Sequence, residues 1–88
     1  MNEIVYTEGF LEGMLQVTSS RVEEAVFDAI DLLPYVPVLG SRSLPDSLSR
    51  RYGSNVRKMA VSPFDVVYCT TDDGDFLILG LVHMRAAR

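Results

Sequence analysis

The chain has 88 residues, 48% of them hydrophobic, with one histidine, one cysteine and a net charge of −4. That length suits one domain with a modest core and leaves no room for a catalytic domain beside a binding domain. One cysteine excludes an internal disulfide, and one histidine with one cysteine excludes a zinc site built from three or four such ligands.

In chain order, Asn2 to Thr7 reads as a short strand, since Val5 and Tyr6 favour β structure. Thr7 is placed to cap a helix with a one-sided stripe of Phe10, Leu11, Met14 and Leu15. Gly9 and Gly13 weaken that helix by roughly 1 kcal/mol each relative to alanine, so it needs packing to persist. Ser20-Arg21-Val22-Glu23 fits a capping box with Ser20 as N-cap. Val22, Ala25, Val26, Ala29, Ile30 and Leu33 then share one helix face, and Pro34 stops the helix. The short link around Ser19 predicts an antiparallel helical hairpin.

The stretch 34–55 is too long to be structureless, and Ser43-Leu44-Pro45-Asp46 with Gly53 predicts one or two helical turns over 44–52. Three strands should follow. Asn55–Val61 leads through a Ser62-Pro63 turn to Phe64–Thr70. Asp73-Gly74 predicts a two-residue hairpin into Phe76–Met84. The unbroken apolar run of that last strand suggests a central strand covered on both faces. The expected fold is α+β in the order β-α-α-(short α)-β-β-β: one domain over 1–88, with a helical hairpin packed on a small, mostly antiparallel twisted sheet.

Charge divides the chain. Residues 1–40 carry seven acids against Arg21, for −6, and residues 41–88 carry five acids against seven bases, for +2. The helical half therefore offers an acidic surface and the sheet half a mildly basic one. The first residues lack the layout of a secretion signal, and the run Phe76–Val82 is far short of the ~20 residues that span a bilayer. A cytoplasmic protein without a membrane partner is expected.

No cofactor or metal is expected. Asp72-Asp73-Gly74-Asp75 lacks the spacing and distal glutamate of a calcium loop, and no glycine-rich phosphate loop is present. What remains is Arg57 and Lys58 on one strand, Tyr68 on the next, His83 and Arg85 at the end of the last, and the group Arg50-Arg51-Tyr52. Adjacent strands should bring Arg57, Tyr68 and His83 or Arg85 to one end of one sheet face, an anion site suited in principle to RNA cleavage. A structural reading stands beside each: His83 shares strand parity with Leu77, Leu79 and Leu81, Tyr68 suits a core, Arg57 suits a salt bridge, and Arg50 and Arg51 suit a solvated helix face. Cys69 reads as a small buried hydrophobe.

Three segments carry a family likeness. Pro37-Val38-Leu39-Gly40-Ser41-Arg42 resembles the P-x-x-G-x-R segment of RelE/ParE superfamily toxins. Val56-Arg57 through Val67-Tyr68 resembles their paired-strand core, and Leu79 to Arg85 resembles their last strand with its H-x-R ending. The resemblance implies the toxin of a type II toxin–antitoxin pair of the plasmid-stabilisation type, neutralised by a cognate antitoxin in a hetero-oligomer. It implies one of two targets. ParE-like toxins inhibit growth by binding DNA gyrase, and the ending His83-Met84-Arg85 looks more like that branch. RelE-like toxins are mRNA interferases that cut mRNA on the ribosome, which here would make Arg57, His83 and Tyr68 catalytic. In either case Arg50, Arg51, Arg57, Lys58, His83 and Arg85 are the candidates for target binding. An inactive remnant that only binds partners is the third reading. The sequence departs from the family in its acidic balance and in Cys69, which follows Tyr68 where an arginine is common.

Overall fold

Turn residues set the limits of the sheet. In the computed structural model, which describes residues 3–85, the strands are β1 (Ile4–Tyr6), β2 (Arg57–Val61), β3 (Phe64–Thr70) and β4 (Phe76–His83). The helices are α1 (Glu8–Met14), α2 (Ser20–Asp31) and α3 (Asp46–Tyr52). The strands form one mixed sheet in the order β1-β4-β3-β2. β2, β3 and β4 pair antiparallel, and β1 adds to β4 in parallel. The fold is α+β, with β4 central as its apolar run suggests.

The start of β2 and the β3–β4 turn differ from expectation. β2 begins at Arg57 rather than Asn55. The β3–β4 turn is not a two-residue Asp73-Gly74 loop. Gly74 N–H donates to Thr71 O and Thr71 N–H to Asp75 O, so Asp72-Asp73-Gly74 form a three-residue loop. Only Gly74 takes a positive φ there, 86°, whereas a type I′ turn would need one at Asp73 as well.

α1 and α2 cover one face of the sheet. Phe10, Val26, Ile30, Leu33, Met59, Phe64, Val66, Tyr68, Phe76, Ile78 and Leu81 form its core. Tyr6, Phe10 and Phe27 add an aromatic triad, with ring centroids 5.4, 5.8 and 6.0 Å apart, that ties β1, α1 and α2 together. α3 covers the other face through a smaller cluster of Leu48, Val56, Val67 and Val82.

α1 is rotated from the expected stripe. Phe10 and Met14 face the core, but Leu11 and Leu15 are 52% and 84% exposed. The cause is the pair of glycines. A Cβ on Gly9 would lie 2.7 Å from Leu79 O, and one on Gly13 would lie 2.6 Å from Leu81 O. Past Tyr6, β1 no longer covers the edge of β4, and α1 lays its glycine face against that exposed backbone instead. The same four-residue spacing that permits close helix packing elsewhere permits it here against a strand.

α2 is capped by Ser19 rather than Ser20: Val22 N–H donates to the Ser19 hydroxyl at 3.4 Å. Within α2 Ala25 is exposed, and Phe27 packs on the core in its place. In β4 the register slips between Val67 and Tyr68, which pair with Gly80 and Ile78 and leave Leu79 unpaired. That bulge reverses the alternation. Leu81 and His83 therefore face the α1/α2 side, whereas Leu79 packs with the α3 cluster. The parity expected from Leu77 to His83 does not hold.

Candidate functional site

At one end of the sheet, Arg57 stands directly opposite Tyr68. Tyr68 is fully buried, and both capacities of its hydroxyl are in use. It donates to Pro37 O at 3.1 Å and accepts from Gly40 N–H at 2.8 Å. Arg57 Nη1 donates to Gly40 O at 2.8 Å. Ser41 and Lys58 exchange backbone hydrogen bonds of 2.9 Å, so the segment 37–41 is sewn along the outer edge of β2. A phenol sealed in this way has no free proton to give to a substrate.

At the other end, His83 stands opposite Phe64, its ring edge-on at 5.4 Å. Nδ1 accepts from the backbone N–H of Arg85 at 3.1 Å, which places the proton of the neutral ring on Nε2. Met84 N–H donates to Pro63 O, so the alternate residues Leu81 and His83 turn their backbone groups away from β3, towards the edge that β1 does not reach. A cleft of about 160 Å³ lies there, lined by Glu12 of α1, Gln16 in the turn after it, Arg51 and Tyr52 of α3, and His83. The Arg51 guanidinium lies 5.1 Å from the Tyr52 ring centroid. Tyr52 reaches this position because Gly80 has no side chain, since a Cβ there would strike the Tyr52 hydroxyl. Arg50 is exposed, its Nε donating to Asp46 O at 3.4 Å, and Arg85 is exposed beside His83. Lys58 points elsewhere, to the α3 face, where Nζ lies 3.5 Å from Oδ1 of the buried Asp65.

The structure thus does not bring Arg57, Tyr68 and His83 together. Tyr68 and Phe64, the residue opposite His83, are four positions apart on β3, or about 13 Å at ~3.3 Å per residue. Arg57 and Tyr68 face the 37–41 segment, and His83 shares its cleft with Arg51. Burial pushes the Cys69 thiol up from its ordinary range, which keeps it a protonated, half-buried group. Burial, and then the Asp31 carboxylate, push the Tyr6 phenol up as well. Among the described residues no group of three or more His, Cys, Asp or Glu side chains is placed to hold a metal ion, and no helix is long and apolar enough to cross a membrane.

The sequence pattern did not single out Glu12, Gln16, Asp65 or the carbonyls of Pro37 and Gly40. Glu12 was hidden by the assumed rotation of α1, and Gln16 lies in the turn that follows it. The carbonyls carry no side-chain signal, although the Pro-x-x-Gly spacing marked their segment. No protein-family model and no curated protein matches the chain.

Proposed function

We propose that this chain is the toxin of a type II toxin–antitoxin pair with the RelE/ParE-like topology, and that it arrests growth by binding DNA gyrase rather than by cutting RNA. The observation that carries the reading is that the separate pieces of the resemblance meet. The Pro37-to-Arg42 segment, Arg57 and Tyr68 lie far apart in sequence, yet three hydrogen bonds join them at Gly40 and Pro37. A structural role for these residue types, shared by toxins with different targets, fits that arrangement.

The choice of target follows from the two ends of the sheet. The nuclease reading needs Arg57, Tyr68 and His83 on one phosphate. Here the Tyr68 hydroxyl is spent on the loop and His83 lies at the opposite end. An acidic chain also lacks the cationic excess from which RNA docking gains affinity. The binding surface for the target is the end of β4, where His83 shares a cleft with Arg51 and the exposed Arg85 follows it. The antitoxin would take exposed apolar surface: Leu11 and Leu15 on α1, or Tyr35 to Leu39 after α2.

Induced expression of the chain alone, with DNA and protein synthesis labelled separately, tests both parts. DNA synthesis should fail first, and purified gyrase should lose supercoiling activity in a manner weakened by Arg85→Ala. Protein synthesis failing first, with mRNA cuts that vanish in Arg57→Ala, would replace the gyrase reading by the nuclease. Unimpaired growth with soluble protein would remove the toxin reading in its active form.

A further inference from the structure

A second cleft, of about 260 Å³, opens beside the free end of β2 and β3, lined by Arg42, Asn55, Arg57, Cys69, Thr70 and Asp72. It lies at the opposite end of the sheet from His83 and takes no part in the proposed gyrase contact. Its lining brings two guanidinium groups to one place. Among the described residues the single ion pair is that of Lys58 with Asp65, so neither Arg42 nor Arg57 is neutralised by a carboxylate. Asp72 reaches the same cleft without pairing with either.

Arg57 is half-buried and already oriented. Its Nη1 is fixed on Gly40 O at 2.8 Å, which holds the planar fork while the rest of its donors have no partner among the described residues. Asn55 adds an amide and Thr70 a hydroxyl, the neutral donors that commonly complete an oxyanion site. The Cys69 thiol stays protonated here, so it adds no negative charge to the cleft. The volume is below the ~300 Å³ at which ordinary small-molecule pockets begin, so the ligand is small.

We propose that this cleft binds a phosphate group, gripped between Arg42 and Arg57 and completed by Asn55 and Thr70. The site is independent of the toxin reading: it stands or falls on the cleft whether or not gyrase is the target. Asp72 at the rim disfavours highly charged ligands and offers an acceptor to a hydroxyl carried next to the phosphate.

Cys69 is the only cysteine in the chain and lines the cleft, which makes it a built-in reporter. The full chain is treated with iodoacetamide, an uncharged reagent, at constant ionic strength set with potassium chloride, with and without inorganic phosphate. Phosphate should slow alkylation saturably, by about threefold once it reaches twice its Kd. Arg42→Gln, at a side chain that makes no hydrogen bond among the described residues, should abolish the protection without unfolding the protein. Arg57→Gln should do the same, with its fold checked by circular dichroism. Arg21→Gln on α2 should leave protection intact. Stronger protection by adenosine 5′-monophosphate than by inorganic phosphate would identify an organic phosphate as the ligand, and equal protection would identify free phosphate. Alkylation unaffected by either compound, or slowed equally in Arg42→Gln, would overturn the proposal. Gyrase inhibition is not read in this experiment, so its failure and the failure of the toxin reading are separable.

Discussion

On the face beneath α1 and α2, the sheet buries Phe10, Val26, Ile30, Leu33, Val66, Tyr68 and Ile78 with no exposed surface at all. On the face beneath α3, four buried apolar residues share the space with Asp65, and the Oγ of Ser47 and Oδ1 of Asp65 are buried without a hydrogen bond. The first face is dry and thick, and the second is thin and admits charge. The contrast teaches where stability and recognition lie. Stability comes from the helical pair, while the cationic groups that line the two clefts, Arg51 on α3 and Arg42 and Arg57 beside β2 and β3, sit along the strand ends.

Truncation on each face measures the contrast directly. Phe10→Ala should cost about 3–5 kcal/mol, since it empties the junction of the aromatic triad where the dry core cannot collapse. Leu48→Ala should cost about 2 kcal/mol, the low end for such a change, because α3 is short and can settle into the gap. Urea denaturation of both variants would read the difference, and equal losses would break the comparison.

The charge on the thin face gives the next largest effect. Asp65 is 3% exposed, and Lys58 lies 3.5 Å from it without a hydrogen bond. Lys58→Met should cost about 2 kcal/mol by leaving that carboxylate alone, an amount reduced from that of a fully buried pair because Lys58 is partly solvated. Adding Asp65→Leu should recover most of the loss. A double variant no more stable than Lys58→Met would mean that the pair is not what the thin face depends on.

Gly13→Ala sharpens the account of the thick face. Alanine improves helix propensity by ~1 kcal/mol, yet its Cβ would sit 2.6 Å from Leu81 O and 2.9 Å from Leu81 Cβ. The contact should win, with a net destabilisation of about 1–2 kcal/mol. Leu15→Ala, on a residue 84% exposed, should change stability by less than ~0.5 kcal/mol. A stabilised Gly13→Ala would show that α1 can lift from β4 without cost.

These two residues also show how far the sequence could be read. Element order and the limits of β3 were legible, because Pro63, Gly74 and alternating Phe64, Val66 and Tyr68 act locally. The face of α1 was not. Leu11 and Leu15 fit a helical period as well as Phe10 and Met14 do, and periodicity gives no weight to a glycine that must touch a strand. The bulge at Leu79 likewise follows no local rule, and it decides which way His83 points. Arg57, Tyr68 and His83 were each placed on the right strand. Their separation came from register, which depends on strand pairing rather than on any one segment.

The smallest expected effect tests the thick face at its edge. Tyr6 completes the aromatic triad but remains 36% exposed, and both burial and the Asp31 carboxylate favour its neutral form. Its folded pKa therefore lies above the ~10 of an unfolded tyrosine. A raised folded value means that the stabilisation is fully present below about pH 10 and is lost as pH rises through the folded value, because ionisation is easier in the unfolded chain. Urea midpoints measured from pH 8 to pH 11.5 should fall at the alkaline end, by a small amount since the phenol is part-solvated. Tyr6→Phe should flatten that part of the fall, and Asp31→Asn should move it only slightly, since burial is the larger cause. A profile unchanged by Tyr6→Phe would place Tyr6 outside the dry layer and make the triad a pair, Phe10 on Phe27.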